Sequence, residues 1–210
     1  MGVAEEEGHR VASGARQVGV IGPTNVGRIA AASGIPVAVY EEAARAAGAL
    51  LARLGVTLVI VPDRGVARWA LAGYRAAHGP RVLGLAPVGG ECDPEARLIL
   101  HAGATECDEI VSGLTWYEQH ARFCQVCDLM VGVGLSCGTL AEIAWTKWVR
   151  KPEVLVLRST ISQIPPEIMA EARVRLLDGL PELAAELTAW HRQHAAARPP
   201  VPARNGARPT

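Results

Sequence analysis

Leu129-Met-Val-Gly-Val-Gly-Leu-Ser-Cys-Gly-Thr-Leu-Ala-Glu142 is the stretch that decides how this chain folds. Residues 129–133 are its most apolar run and read as a strand buried on both faces, as the central strand of a parallel sheet is. The glycines and Ser136 read as a tight turn, and residues 139–149 as a helix. A glycine-rich turn from strand into helix leaves free backbone N–H groups and the positive end of the helix dipole together, a natural seat for an anion.

Working outward, short β-rich runs alternate with Ala- and Leu-rich stretches. Strands are expected at 17–21, 57–61, 81–86 and 109–112, with 154–157 as the last core strand. Helices are expected at 41–54, where Ala43, Ala47, Leu50, Leu51 and Leu54 recur every three or four positions, at 67–78, which Gly79-Pro80 stops, and at 116–127. Residues 166–194 read as one or two terminal helices. Residues 87–105 carry Pro, paired glycines and scattered charge, and read as a long connection with a short strand. The alternation implies an α/β, Rossmann-like doubly wound fold: a mainly parallel sheet with helices on both faces. One domain over 16–195 is expected, between an N-terminus (1–15) and a tail (196–210) whose composition predicts disorder.

The 21 Lys and Arg are balanced by 21 Asp and Glu, so there is no basic excess to neutralise a nucleic-acid backbone or an anionic membrane. Apolar runs fall far short of the roughly 20 residues of a membrane span. The start, with three consecutive acids and no apolar segment, differs from a signal peptide, which predicts a cytoplasmic protein with reduced thiols. The expected partner is a small, nucleotide-like ligand, not nucleic acid or membrane.

In doubly wound sheets ligands bind outside the carboxyl ends of the strands, so the loops after strands are the informative ones. In Gly22-Pro-Thr-Asn-Val-Gly27, the candidates are Gly22, Thr24 and Asn25. In Pro62-Asp-Arg-Gly65, Asp63 and Arg64 read either as a surface ion pair or, with Gly65, as a place where Arg64 meets phosphate. In 132–139, Gly134, Ser136, Gly138 and Thr139 are the expected anion contacts. Glu142 lies about one turn further on, either as a capping-box partner of Thr139 or as a catalytic or ribose-binding carboxylate.

Five cysteines, an odd number, do not suggest a disulfide framework. Cys124 and Cys127 could be half of a metal site with Cys92, Cys107 or Cys137. However, a five-residue strand at about 3.3 Å per residue puts Cys127 and Cys137 roughly 17 Å apart. Small apolar filler is the simpler role, and no metal is expected. Cys137, near a helix N-terminus, is a candidate reactive or ligand-contacting thiol. Trp116, Tyr117, Trp145 and Trp148 suit a core or a dimer face.

Gly138-Thr-Leu-Ala-Glu142-Ile143 after an apolar strand resembles the end of the Pro-Gly-Gly-x-Gly-Thr-x-x-Glu motif of the LOG ("lonely guy") family of Rossmann nucleotide-binding proteins. Its wider superfamily takes in lysine decarboxylase-like and DprA-like proteins. Val18-Gly-Val-Ile-Gly22, the stretch 65–79 before Arg81-Val-Leu-Gly-Leu85, and Lys151-Pro152 extend the resemblance over about 17–157. It implies a nucleotide or related phosphorylated ligand, and hydrolysis of the N-glycosidic bond of nucleoside 5′-monophosphates. Glu142 would then hold the ribose and stabilise oxocarbenium-like charge, an electrostatic contribution of the kind that often dominates catalysis. It also implies a homodimer and no resident cofactor. The alternative is a non-catalytic binding or carrier protein for a nucleotide or pterin-type cofactor. The chain departs from the pattern at three places: Gly134-Leu-Ser136 replaces Pro-Gly-Gly, Pro62-Asp-Arg64 replaces three glycines, and Gln119 stands where the family has an active-site Arg, with His120 and Arg122 beside it. These departures imply altered ligand chemistry or lost hydrolysis.

Overall fold

The computed structural model describes residues 16–87, 103–149 and 152–196. Seven strands form one parallel sheet: β1 (Gln17–Ile21), β2 (Thr57–Ile60), β3 (Val82–Leu85), β4 (Glu109–Val111), β5 (Leu129–Gly132), β6 (Val154–Leu157) and β7 (Val174–Leu177), in the order β4-β3-β2-β1-β5-β6-β7. The helices are α1 (Val26–Ser33), α2 (Val37–Arg53), α3 (Val66–Ala76), α4 (Trp116–Val126), α5 (Cys137–Trp145), α6 (Pro166–Glu171) and α7 (Leu180–Ala196), with a 3-10 turn at Arg158–Thr160. This is the expected α/β Rossmann-like architecture. The order reverses at β1, whose neighbours are β2 and β5, and the crevice at that reversal is where such sheets bind ligands.

Every residue of β2, β3, β5 and β6 is buried, because helices cover both faces. Two aspartates fix strand register at the amino edge. Asp128 Oδ2 accepts the Gln17 N–H at 3.0 Å, aligning β5 with β1, and Asp108 Oδ2 accepts the Val82 N–H at 2.7 Å, aligning β4 with β3. On one face α2 and α3 cross with their backbones touching. A Cβ on Gly48 would lie 2.0 Å from the Ala70 carbonyl oxygen, and one on Gly73 would lie 2.0 Å from that of Arg45. Tyr74 locks the far end of α3. Its buried hydroxyl lies 2.6 Å from Val56 O and 2.9 Å from Arg81 O, and it accepts the Arg81 N–H at 3.1 Å.

Two elements differ from the sequence reading. Residues 26–33 form a helix, α1, which overlaps the end of the loop expected at 22–27 and runs through residues given no element; the Asn25 side chain caps it by accepting the Arg28 N–H. The region read as terminal helices contains β7, so 154–157 is not the last strand. Val174-Arg-Leu-Leu177 carries helix-compatible residues, but pairing along β6 from Val154 to Leu157 overrides that preference. The expectations for 1–15, the tail beyond 196 and most of 87–105, including Cys92, fall outside the described residues. Among the described residues no helix is long and apolar enough to cross a membrane.

Candidate functional site

A cavity of about 250 Å³ opens at the carboxyl edge of the sheet where the order reverses. Its floor is the end of β1, Val20 to Gly22. One wall is the loop after β2 with the first turn of α3 (Val61, Asp63, Ala67). The opposite wall is the turn and first helical turns after β5, and α4 closes the side with Trp116, Gln119, His120 and Phe123.

The wall after β5 is built from the N-cap inward. Ser136 caps α5: its Oγ accepts the Thr139 N–H at 3.3 Å and lies 2.9 Å from Thr139 Oγ1. The helix therefore starts at Cys137, which places Thr139 in the first turn and Glu142 well inside the helix. The capping-box option for Glu142 drops out, since a carboxylate that far along cannot reach the cap. Glu142 is instead 6% exposed, on the face of α5 that turns to α4, and lines the cavity. The turn itself is held from behind. Gly134, at φ +83°, donates its N–H to Thr160 Oγ1 at 2.8 Å, and Thr160 donates to the Leu157 carbonyl at 2.8 Å. Gly138 leaves real space, for a Cβ there would meet nothing nearer than His120 Cε1 at 3.5 Å.

α4 begins with a reciprocal cap. Thr115 Oγ1 accepts the Glu118 N–H, and the Glu118 carboxylate accepts the Thr115 N–H at 2.7 Å. These hydrogen bonds from Thr115 hold the Glu118 carboxyl below the ordinary carboxylate range. The cap sets the helix phase, so 119 and 123 point inward four residues apart. Gln119, only 1% exposed, donates Nε2–H to Glu142 Oε1 at 3.2 Å, and His120 Nδ1 lies 3.3 Å from the same oxygen. Cys124 donates its S–H to the Glu142 carbonyl at 3.2 Å. Burial, reinforced by the Glu142 charge, pushes the Cys124 thiol up to about 12, so it is no nucleophile at neutral pH. Cys127 is fully buried beneath Gly19, where a Cβ would come 2.7 Å from its sulfur.

Asp63 is the second carboxylate of the cavity and is 5% exposed, so it is not the surface group that was expected, although the Arg64 charge still acts on it. Its Oδ1 accepts the Arg64 N–H at 2.6 Å. Burial raises its carboxyl above the ordinary range, against the lowering effects of that hydrogen bond and of the Arg64 charge. The Arg64 side chain is exposed and does not line the cavity.

The structure thus gathers Gly22, Thr24, Gln119, His120, Ser136, Gly138, Thr139 and Glu142 of the expected residues around one space. The others lie elsewhere. Asn25 caps α1, Gly65 packs under the Pro23 and Thr24 carbonyls, and Gly134 braces the turn. Arg122 points toward Gln125, with Nη1 3.5 Å from its Oε1, and Cys137 is exposed outside the cavity. Asp63, Trp116 and Phe123 were not singled out as ligand-facing. The sheet order, which brings the end of β2 beside that of β1, reveals Asp63, and the packing of α4 against the cavity reveals the other two. Among the described residues no Lys or Arg lines the cavity.

Solved structures with this architecture include two cofactor-related proteins. One is the molybdenum cofactor carrier protein of Chlamydomonas reinhardtii, 19% identical, with a TM-score of 0.60 over 83% of this chain and 97% of that one. The other is the molybdenum cofactor binding protein of Rippkaea orientalis, 20% identical, with a TM-score of 0.61 over 84% and 97%. The single-stranded-DNA-binding DNA processing protein A of Helicobacter pylori is also similar, at 12% identity and a TM-score of 0.60 over 83% and 81%. At such identities the likeness is one of fold. No curated protein is matched by the sequence. A family model covers residues 15–178, the whole of the cavity included, and the chain belongs to the SLOG cluster4 family.

Proposed function

We propose that this protein binds, and serves as a carrier for, a phosphorylated pterin-type cofactor or a closely related nucleotide, without cleaving it. The observation that carries this reading is the charge pattern of the cavity: two buried carboxylates, Asp63 and Glu142, with a neutral amide, Gln119, holding Glu142. A glycosidase of the kind the LOG resemblance implies has a guanidinium at the Gln119 position. Here an amide orients the Glu142 carboxylate but supplies no positive charge to grip the phosphate of a monophosphate. Phosphate is left to the backbone N–H groups at the start of α5 beside Gly138, where the helix dipole favours it.

The dimensions agree. A cavity of about 250 Å³ lies just under the range of about 300–1,000 Å³ usual for ligand pockets, and suits a bicyclic ring with its phosphorylated arm at the mouth. Trp116 offers aromatic surface to such a ring. Two of the similar folds carry molybdenum-cofactor names, and that cofactor is a phosphorylated pterin, which adds support. A third binds single-stranded DNA, but a neutral chain with two carboxylates in its cavity is poorly suited to a polyanion.

The test is titration of the protein with neopterin 3′-monophosphate by pterin fluorescence, with AMP and GMP in parallel and chromatography of every mixture. Saturable micromolar or tighter binding with no released base is expected. Release of base from a monophosphate, abolished in Glu142→Gln, would replace this reading with a hydrolase.

A further inference from the structure

We infer that Asp63 selects the ring of the ligand, by accepting paired hydrogen bonds from a 2-amino-4-oxo-pyrimidine edge, the edge shared by pterins and guanine. The inference rests on the binding function proposed above and adds to it the residue that discriminates between rings.

The two carboxylates of the cavity are not equivalent. Glu142 already has one oxygen occupied by Gln119 and His120. Asp63 has only the backbone N–H of its own neighbour, and among the described residues no other donor reaches it. It is nonetheless 5% exposed and lines the cavity. A carboxylate has about four acceptor sites, and removing it from water without filling them is costly. A ligand with two convergent N–H donors would fill them in the bidentate arrangement that makes guanidinium–carboxylate pairs strong. The N3–H and 2-amino group of a pterin form such a pair, as do the N1–H and 2-amino group of guanine.

Other ligand groups fit Asp63 less well. Phosphate would be repelled. A metal ion has no adequate site, since among the described residues no three His, Cys, Asp or Glu side chains are grouped to hold one. Adenine offers one donor beside an acceptor on the corresponding edge, so one contact would be repulsive. The layout also suits a flat ring. Asp63 follows β2 and Glu142 follows β5, the two neighbours of β1, so the strands that deliver them lie about 10 Å apart. A ring between them would rest over the end of β1, against Val61 and Ala67 on the Asp63 side and Trp116 on α4.

The substitution that tests this is Asp63→Asn. An Asn oxygen can still accept the Arg64 N–H, so the local turn is preserved, while the cavity is offered an amide N–H in place of a carboxylate oxygen. The unmodified protein is titrated with neopterin 3′-monophosphate, its 2-oxo lumazine counterpart, GMP and AMP. The expected result is at least tenfold preference for neopterin monophosphate over the lumazine, and for GMP over AMP, with the pterin–lumazine preference lost or reversed in Asp63→Asn. Whichever of the pterin and GMP binds tighter identifies the source of the shared edge. Equal binding of the pterin and lumazine by the unmodified protein, or an unaltered preference in a folded Asp63→Asn, overturns the role of Asp63 while leaving the binding function in place. Failure of the unmodified protein to bind either the pterin or GMP overturns both.

Discussion

Glu142 shows how far a local motif can be read. The Thr-x-x-Glu spacing fits a capping box and a functional carboxylate equally well, and the two differ only in where the helix begins. Ser136 takes the cap, so Glu142 is released to the cavity and held there by Gln119 and His120. Glu142, Ser136, Gly138 and Thr139 were therefore legible from one stretch of sequence. Asp63 was not, because a carboxylate beside an arginine reads as a surface pair until the fold buries it. Its burial has a thermodynamic consequence. Because desolvation raises its carboxyl in the folded chain, ionising Asp63 opposes folding. Stability is greatest below the ordinary carboxylate range and declines as pH rises through the raised value. Asp63→Asn should thus melt about 2–4 °C above the unmodified protein at pH 7, the effect of roughly 1 kcal/mol at this length. The gain should shrink as pH falls toward 3.8, where the ordinary carboxyl is half protonated, and vanish below it. A lower melting temperature at pH 7 would show that Asp63 stabilises the fold and is not held there for a ligand.

At the scale of elements, β1 and β6 fall where hydrophobic runs put them, at 17–21 and 154–157, and the other expected strands agree to within one or two residues. α1 and β7 escaped for opposite reasons. α1 depends on a side-chain cap at Asn25 within a loop-like, glycine-containing stretch, and β7 depends on a partner strand that no local pattern announces. The glycines of α2 and α3 were also silent in sequence, where a helical Gly is only a weak helix former. In the fold, Gly48 and Gly73 let the two helices touch. Two effects compete in Gly73→Ala. Helix propensity favours Ala by about 1 kcal/mol, while a Cβ placed 2.0 Å from the Arg45 carbonyl oxygen must push two backbones apart. Overpacking of that kind costs about 1–3 kcal/mol or more. The clash is with backbone and cannot be relieved by a rotamer change, so it wins. Urea denaturation of Gly73→Ala should show a net loss of about 1–2 kcal/mol; a gain would mean that the helices separate freely.

For the whole molecule, the sheet order assembles the cavity. Strands β2, β1 and β5 bring together residues 63, 22 and 142, which are far apart in sequence, at the single reversal of strand order. The alternation of strands and helices made this fold class legible, but not which strand ends would meet. Opposite considerations apply to the exterior, where Tyr117 and Trp148 are 75% and 65% exposed and Trp145 packs edge-on against Trp148. We propose that the homodimer implied by the LOG resemblance covers these aromatics. Sedimentation should then give twice the monomer mass, and Trp148→Glu should halve it; a monomer at every concentration would refute the dimer. The placement of the ligand at the β1–β5 crevice is tested most directly by hydrogen exchange with and without millimolar neopterin 3′-monophosphate. Slowed exchange should concentrate in residues 19–27, 61–67, 116–123 and 132–143. Unchanged exchange in these segments, or protection confined to residues 166–196, would contradict it.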